Sequence, residues 1–412
     1  MIKEIPYIES LPSDWNVIPN RYLFYYDGKK VGDEHAQYQL LSLTTAGVKK
    51  RNINATGGKV PTSYDNYQTV KKGQMVFCLF DLDCSAVFSG ISEYDGMITS
   101  AYDVFSTSDK MDTRYADYWF KYVFSNRYYK MYSKNIRYTI TGDMFRALKT
   151  PVPPLEVQKQ ISSLLRNQEQ KIDNLIANVQ AQIEKLKAYK QSLITEVVTK
   201  GLDPNAPMKD SGVEWIGKIP EDWEVVKTGR LFKENNRSPI GNDIPLSLSQ
   251  MDGLVATDDM KESALKTSSY DNWKRVEIGD LVLNRFKAHL GVLFAANLTG
   301  IVSFHYGVYE AKRSLVPKFY EYLYHSNQYK AILGNASNGM VVGLQNLSNL
   351  GFYSTYSLYP PYAEQEKLVS HLDKKCSEID ELIALKQSKI EKLEQYKKSL
   401  IYEYVTGKKE VV

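Results

Sequence analysis

The side chains with the greatest chemical reach in this chain lie in four polar clusters. Lys49, Lys50, Arg51 and Asn52 follow Thr44-Thr45-Ala46-Gly47, a polar loop leaving an apolar strand. Lys134, Asn135 and Arg137 lie in a second loop, with Arg127, Tyr128 and Lys130 nearby in sequence. Asn284, Arg285, Lys287 and His289 form a third cluster, and Asn335, Asn338 and Gln345 a fourth. Arg, Lys, Asn and Gln make bidentate contacts to base edges, and Lys and Arg also neutralise phosphates. One such cluster alone is more often a solvated face. Here they recur at corresponding places in two halves of the chain, with differing residues in repeated surroundings. Two readers of different nucleic-acid sequences would show that pattern.

Catalytic patterns are not found beside them. No Gly-x-Gly-x-x-Gly follows a strand, no Walker-type Gly-Lys-Ser/Thr occurs, and no Gly-x-Ser-x-Gly elbow is present. The Asn-Pro-Pro-aromatic loop of an amino-methyltransferase acting on bases is missing too. His35, His289, His305, His325 and His371 are dispersed, without metal-ligand spacing. Asp81-Leu82-Asp83 could hold Mg²⁺, but two acids in a turn after a strand are common. The expectation is a chain that is not an enzyme on its own, with no catalytic residue and no metal site.

Composition frames these readings. The 412 residues suffice for two or three domains, and 43% hydrophobic with 12% aromatic content is that of a folded protein. Tyrosine stands out at 31 residues against 14 Phe and 5 Trp, which suits polar recognition surfaces as well as cores. A net charge of +4 and a pI near 8.5 permit a polyanionic partner without demanding one. Three scattered cysteines without a Cys-x-x-Cys pair argue against a disulfide framework or thiolate metal site. The charged, proline-bearing Met1-Ile2-Lys3-Glu4-Ile5-Pro6 is no signal peptide, and no stretch approaches the roughly 20 apolar residues of a membrane span. A cytoplasmic protein without membrane contact is expected.

Elements that must position the loops are written twice, about 207 residues apart. Leu11-Pro12-Ser13-Asp14-Trp15-Asn16-Val17 returns as Ile219-Pro220-Glu221-Asp222-Trp223-Glu224-Val225. Ser63-Tyr64-Asp65-Asn66-Tyr67 returns as Ser269-Tyr270-Asp271-Asn272-Trp273, and each copy soon reaches a glycine, Gly73 or Gly279. The apolar runs at 74–80 and 280–286 read as buried strands entered from turns, and 115–132 and 317–333 as amphipathic helices.

Two longer helices follow proline pairs. The first opens after Pro153-Pro154 and runs to Lys200-Gly201, with Leu165, Ile172, Val179, Leu186 and Leu193 one heptad apart. The second follows Pro360-Pro361 and places Leu372, Ile379, Leu393 and Leu400 on the same ladder, which Lys386 interrupts. Such a stripe, roughly 45 residues or about 65 Å long, needs a partner helix, and the nearest candidate is its own copy. The alternative is two separate helices, each packed on its neighbouring module. The expected architecture is α+β: a module at 1–152, a helix at 153–201, a linker and second module at 202–358, and a helix at 359–412. The helices form an antiparallel coiled coil, with approximate two-fold symmetry inside one polypeptide.

The central passage, from Val198-Thr199-Lys200-Gly201-Leu202-Asp203-Pro204 through Met208-Lys209-Asp210-Ser211-Gly212-Val213-Glu214-Trp215-Ile216-Gly217-Lys218 to Trp223, resembles a signature of type I restriction–modification specificity subunits. Pro360-Pro361 with Glu364-Gln365 matches their usual start of the second helix. The first copy, Pro153-Pro154-Leu155-Glu156-Val157-Gln158, has Val157 where the second has Glu364. The resemblance extends over essentially the whole chain. It implies two target-recognition domains, each reading half of a split site in double-stranded DNA, and two helices that set the gap. It further implies two methyltransferase subunits carrying S-adenosylmethionine, and restriction subunits using ATP and Mg²⁺, as partners, with no cofactor in this chain. A coiled-coil scaffold whose modules bind proteins is the competing function; it leaves the differing polar loops without a purpose.

Overall fold

The computed structural model describes residues 5–51, 63–133, 137–250, 253–260, 270, 272–338 and 345–411. The chain divides into two compact units, Met1–Val179 with Ser388–Val412, and Gln180–Gln387. Each is mixed α+β, and each takes part of both long helices.

In the first unit the strands are β1 (Asn16–Pro19), β2 (Phe24–Tyr26), β3 (Leu41–Thr44), β4 (Gly47–Lys50), β5 (Gln68–Val70), β6 (Met75–Phe77), β7 (Ser89–Ile91), β8 (Gly96–Ile98), β9 (Asp103–Thr107) and β10 (Lys149–Val152). Helices α1 (Thr113–Ser125) and α2 (Gly142–Ala147) precede the long α3 (Leu155–Lys200). An antiparallel sheet of order β2-β9-β6-β7 is accompanied by the pairs β3-β4, β5-β8 and β1-β10. Helix α1 starts where Asp112 accepts the Tyr115 N–H at 2.8 Å, an N-cap that satisfies one orphan donor. From there Tyr115, Tyr118, Trp119, Tyr122 and Val123, at helical spacing, turn one apolar face inward. They pack with Phe24, Phe77, Phe105 and Phe145 in a core dominated by aromatic rings.

The second unit repeats this topology. Its strands are β11 (Met208–Asp210), β12 (Lys218–Pro220), β13 (Glu224–Lys227), β14 (Phe232–Glu234), β15 (Leu246–Ser249), β16 (Gly253–Ala256), β17 (Lys274–Val276), β18 (Leu281–Asn284), β19 (Leu293–Ala295), β20 (Gly300–Val302), β21 (Tyr306–Ala311) and β22 (Tyr356–Tyr359). Helices α4 (Pro317–His325), α5 (Asn327–Asn335) and α6 (Asn349–Ser354) lead to α7 (Tyr362–Val405). The sheet β14-β21-β18-β19 and the pairs β15-β16, β17-β20 and β13-β22 reproduce the first unit strand for strand, and β11-β12 is an added ribbon.

Within each unit the two long helices run antiparallel. In the first, Tyr115 Oη reaches Pro151 O at 3.0 Å and Val405 O at 3.4 Å, so the end of α7 meets the start of α3. Farther along α3, Lys397 Nζ meets the Asp173 carboxylate at 2.9 Å. In the second, Gln182 meets Lys386 at 2.6 Å and Lys190 meets Asp380 at 2.6 Å, numbers rising on α3 as they fall on α7. In the first unit Leu165, Ile172, Val179 and Leu400 are buried and Leu393 half-buried; in the second, Leu372 and Ile379 are buried and Leu186 and Leu193 half-buried. Each full burial contributes roughly 1.5–3 kcal/mol. Lys386, at the interrupted seam position, is half-buried and donates to Gln182, which keeps its ammonium solvated by protein. Gly201 (φ +80°) and Gly407 (φ +68°) end the two helices in the left-handed conformation that glycine adopts without strain.

Candidate nucleic-acid interface

In the first unit, Lys49 and Lys50 lie on β4 beyond a tight turn with Gly47 at φ +86°. Lys50 is exposed, its Nζ 4.9 Å from the Tyr94 ring centroid, and the Arg51 N–H donates to Leu40 O at 2.9 Å. This cluster sits beside Ser92, at one end of the β6–β7 hairpin, through the Val48–Ser92 bridge.

A second basic group occupies the other end of that hairpin. The β6–β7 loop and the segment after α1 are stitched together by backbone: Ile140 N–H donates to Leu79 O at 2.7 Å, and Leu82 N–H to Arg137 O at 3.1 Å. Thr139 Oγ1 accepts the Asp81 N–H at 3.3 Å. Asp83 accepts from Lys130 Nζ at 2.8 Å and Tyr129 Oη at 3.1 Å, and pairs ionically with Arg127 Nη1 at 3.7 Å. The Lys130 hydrogen bond, aided by Tyr129 and the two cationic charges, holds the Asp83 carboxyl below the usual carboxylate range. Arg127 and Arg137 are both exposed here. The structure therefore sets Arg127 and Arg137 in segments that meet the β6–β7 loop, at the opposite end of that hairpin from Lys49, Lys50 and Arg51. Asn52, Lys134 and Asn135 lie outside the described residues.

The second unit uses the same backbone tie: Leu347 N–H donates to Arg285 O at 3.0 Å. The segment around 285–290 thereby meets Leu347, next to Asn346, which exchanges backbone hydrogen bonds with Asn338 at 3.0 and 2.9 Å. A Cβ built on Gly334 would stand 3.3 Å from His289 Cβ, so the two segments are in close contact. Lys287, Asn335 and Asn338 are exposed, and His289 and Gln345 are half-buried.

Two of the candidates have other tasks. Asn284 is buried, and its Oδ1 accepts the N–H groups of Phe286 (3.1 Å) and Lys287 (3.3 Å), capping the following turn. Arg285 points inward, its Nη2 2.5 Å from Glu234 and 2.9 Å from Asn349 Oδ1. Lys274 bonds the same Glu234 carboxylate at 2.7 Å, and Asn349 donates to it as well. Burial raises the Glu234 pKa, but the Lys274 and Asn349 hydrogen bonds and the Arg285 charge outweigh it, leaving the carboxyl below its ordinary value. The sequence-based choice of Asn284 and Arg285 as base readers is thus corrected: Asn284 Oδ1 and Arg285 Nη2 are engaged within the unit, and Arg285 Nε is buried.

The anchoring carboxylates Asp83 and Glu234 were not legible as such. Asp83 drew attention only as a possible Mg²⁺ ligand, and among the described residues no group of three His, Cys, Asp or Glu gathers to hold a metal. Their partners lie 40–115 residues away in sequence. Also among the described residues, no helix is long and apolar enough to cross a membrane.

No family model matches the chain. Curated relatives include the type I restriction enzyme MjaVIII specificity subunit of Methanocaldococcus jannaschii, 28% identical over 285 residues, covering 64% of this chain and 63% of that protein. The MjaX specificity subunit of the same organism is 27% identical over 286 residues, covering 66% of this chain and 61% of its own length. Among solved structures, the HsdS subunit from Thermoanaerobacter tengcongensis aligns over 98% of both chains with a TM-score of 0.54 and 14% identity. The chain is similar in sequence and in fold to type I restriction specificity subunits. A further chain, from work on complex assembly and conformational transition of the type I R-M system, aligns over 97% of this chain and 99% of its own length (TM-score 0.71, 14% identity). At 14% identity the structural likeness is one of fold. It embraces both units and both long helices, so the α+β plan of two modules with two long helices is shared with the specificity subunits. The matched sequence spans less than two thirds of the curated relatives' length.

Proposed function

We propose that this chain is a sequence-specific DNA-binding specificity subunit of a type I restriction–modification complex. Each unit reads one half of a bipartite target, in double-stranded DNA, through its tied loops, and the paired helices act as the spacer. One observation carries this reading. Two units of identical strand order keep the same backbone clasp between the same two segments, while the exposed side chains on those segments differ. Likeness to specificity subunits supports it.

In this reading the chain supplies no catalytic group. Methylation, with its S-adenosylmethionine, and cleavage, with its ATP and Mg²⁺, belong to two methyltransferase subunits and to restriction subunits. Repeated apolar side chains on the helices support two equivalent docking places. Leu175 (47% exposed) and Leu382 (47%) are repeat mates, as are Tyr189 (56%) and Tyr396 (54%). The N-terminal module, the helix, the second module and the C-terminal helix (1–152, 153–201, 202–358, 359–412) are the proposed functional segments, and the bacterial or archaeal cytoplasm is the proposed compartment.

The test is a module exchange. Residues 1–152 are replaced by the equivalent module of another specificity subunit, and methylated sites are mapped genome-wide with a methyltransferase partner present. One half-site should change and the other persist. A change in both halves, or in neither, removes the modular reading. Binding should also fall steeply with salt, because phosphate contacts carry much of the affinity; a flat response would favour a protein-binding scaffold.

A further inference from the structure

We infer that Asp83 is a positioning residue that sets the base preference of the first unit by holding Arg127; this rests on the DNA-binding reading above. Among the described residues, only Asp81, Arg127 and Tyr138 are non-glycine residues with positive φ (52°, 56° and 47°). All three belong to the two segments that meet around Asp83. Left-handed backbone at such residues is unfavourable and persists only where the surroundings enforce it. The surroundings here are the backbone ties Ile140–Leu79 and Leu82–Arg137, the Thr139–Asp81 bond, and the Asp83 carboxylate with its two donors and the Arg127 charge.

The second unit separates scaffold from special device. It retains the backbone tie, as Leu347–Arg285. Its loop from Asn284 to Val292 is two residues shorter than Cys78–Phe88, and carries no carboxylate, whereas the first carries Asp81 and Asp83. The backbone clasp is common; among the described residues, a clasp built on a carboxylate of the loop itself is found in the first unit, whereas Arg285 of the second pairs with Glu234 on β14.

The ionic clasp divides its two cations unequally. Lys130 is held at hydrogen-bond distance and also lies over the Tyr138 ring, 4.4 Å from its centroid, so it closes the loop pair. Arg127 stands farther from the carboxylate, at 3.7 Å, with its side chain 66% exposed. A guanidinium oriented from one side and open on the other can present its fork to a base edge or a phosphate. Asp83 therefore restrains Arg127 while Arg127 makes the outward contact.

The test uses the full-length chain with its methyltransferase partner and a library of duplex targets, each half-site varied one base at a time. Asp83→Asn keeps shape and removes charge. It should reduce discrimination at positions of one half-site by about tenfold, leaving the other half-site and the gap unchanged. Arg127→Ala should do the same, and Asp83→Asn should add little in the Arg127→Ala background, since both act through one group. Lys130→Met tests the loop closure separately and should weaken methylation across all sequences. Uniform loss with unchanged ranking in Asp83→Asn would show a merely structural role and overturn the inference. So would an Asp83→Asn effect undiminished without Arg127, which would make Asp83 itself the reader. A wild-type complex that selects no DNA sequence would overturn this inference together with the reading beneath it.

Discussion

The side-chain carbonyl of Gln158 accepts the backbone N–H of Asp112 at 2.8 Å, tying the first turn of α3 to the N-cap of α1. Its amide donates to Lys110 O at 2.9 Å and Pro153 O at 2.8 Å. In the second unit Gln365 does the same, accepting from Val316 N–H at 2.9 Å and donating to Pro360 O at 2.8 Å. Both glutamines are fully buried. Gln158→Ala would strand the Asp112 N–H and two carbonyls and leave a cavity, at a cost of about 2–4 kcal/mol. Urea unfolding should report that loss, and hydrogen exchange should place it in the first unit. A change below about 0.5 kcal/mol would show that water replaces the amide.

The difference between Val157 and Glu364 follows from burial. Trp223 is wholly buried, and its indole N–H donates to Glu364 Oε2 at 2.9 Å; its counterpart Trp15 is only half-buried. A sealed N–H needs an acceptor, and one near solvent can use water. Glu364→Val should cost about 1–3 kcal/mol. Val157→Glu should cost less, under about 1 kcal/mol, through the packing that the half-buried Val157 loses on the core. Chemical denaturation of both variants checks the asymmetry, and equal effects would refute it.

Lys386 and Gln182 form a half-buried polar pair in an otherwise apolar seam. Replacing both by leucine should be neutral or stabilising, by up to about 2 kcal/mol, since apolar packing often equals or exceeds a buried polar pair. Lys386→Leu alone should gain less, because Gln182 loses this partner. A thermal melt that fell for the double variant would show that the polar pair is needed for the seam itself.

His325 gives the second unit a pH-dependent stability. Burial, reinforced by the Lys330 and Lys318 charges, lowers its pKa from 6.5 to about 4, and its buried Nε2 finds no hydrogen-bond partner among the described residues. In the unfolded chain the imidazole takes up a proton near pH 6.5; in the folded unit it does so only near pH 4. Between these values the unfolded state binds more protons, so stability falls as pH drops. The full contribution is present above pH 6.5, and about 3 kcal/mol is lost by pH 4. His325→Leu should flatten that slope. NMR titration of His325 should show a neutral ring at pH 5.5, and a midpoint near 6.5 would contradict the account.

The long helices were legible because their signal is local and periodic: a heptad of Leu, Ile and Val needs no distant contact to be read, and the proline pairs and glycines mark its ends. The repeat likewise announced a second module of the same kind. Loop roles were less accessible. Asn284 and Arg285 look like base readers in a string of letters, yet Glu234, 51 residues away from Arg285, draws the guanidinium inward. Asp83 looked like half a metal site until Lys130, 47 residues on, and Arg127 arrived beside it.

By itself the sequence determined the duplication, the two helices and their seam, and the presence of polar loops that differ between copies, because each is written in short-range pattern. Tertiary structure alone decided which loop residues face solvent. A carboxylate's partner is set by chain segments that meet only on folding. Whether an arginine is a reader or a strut depends on whether such a carboxylate lies within reach.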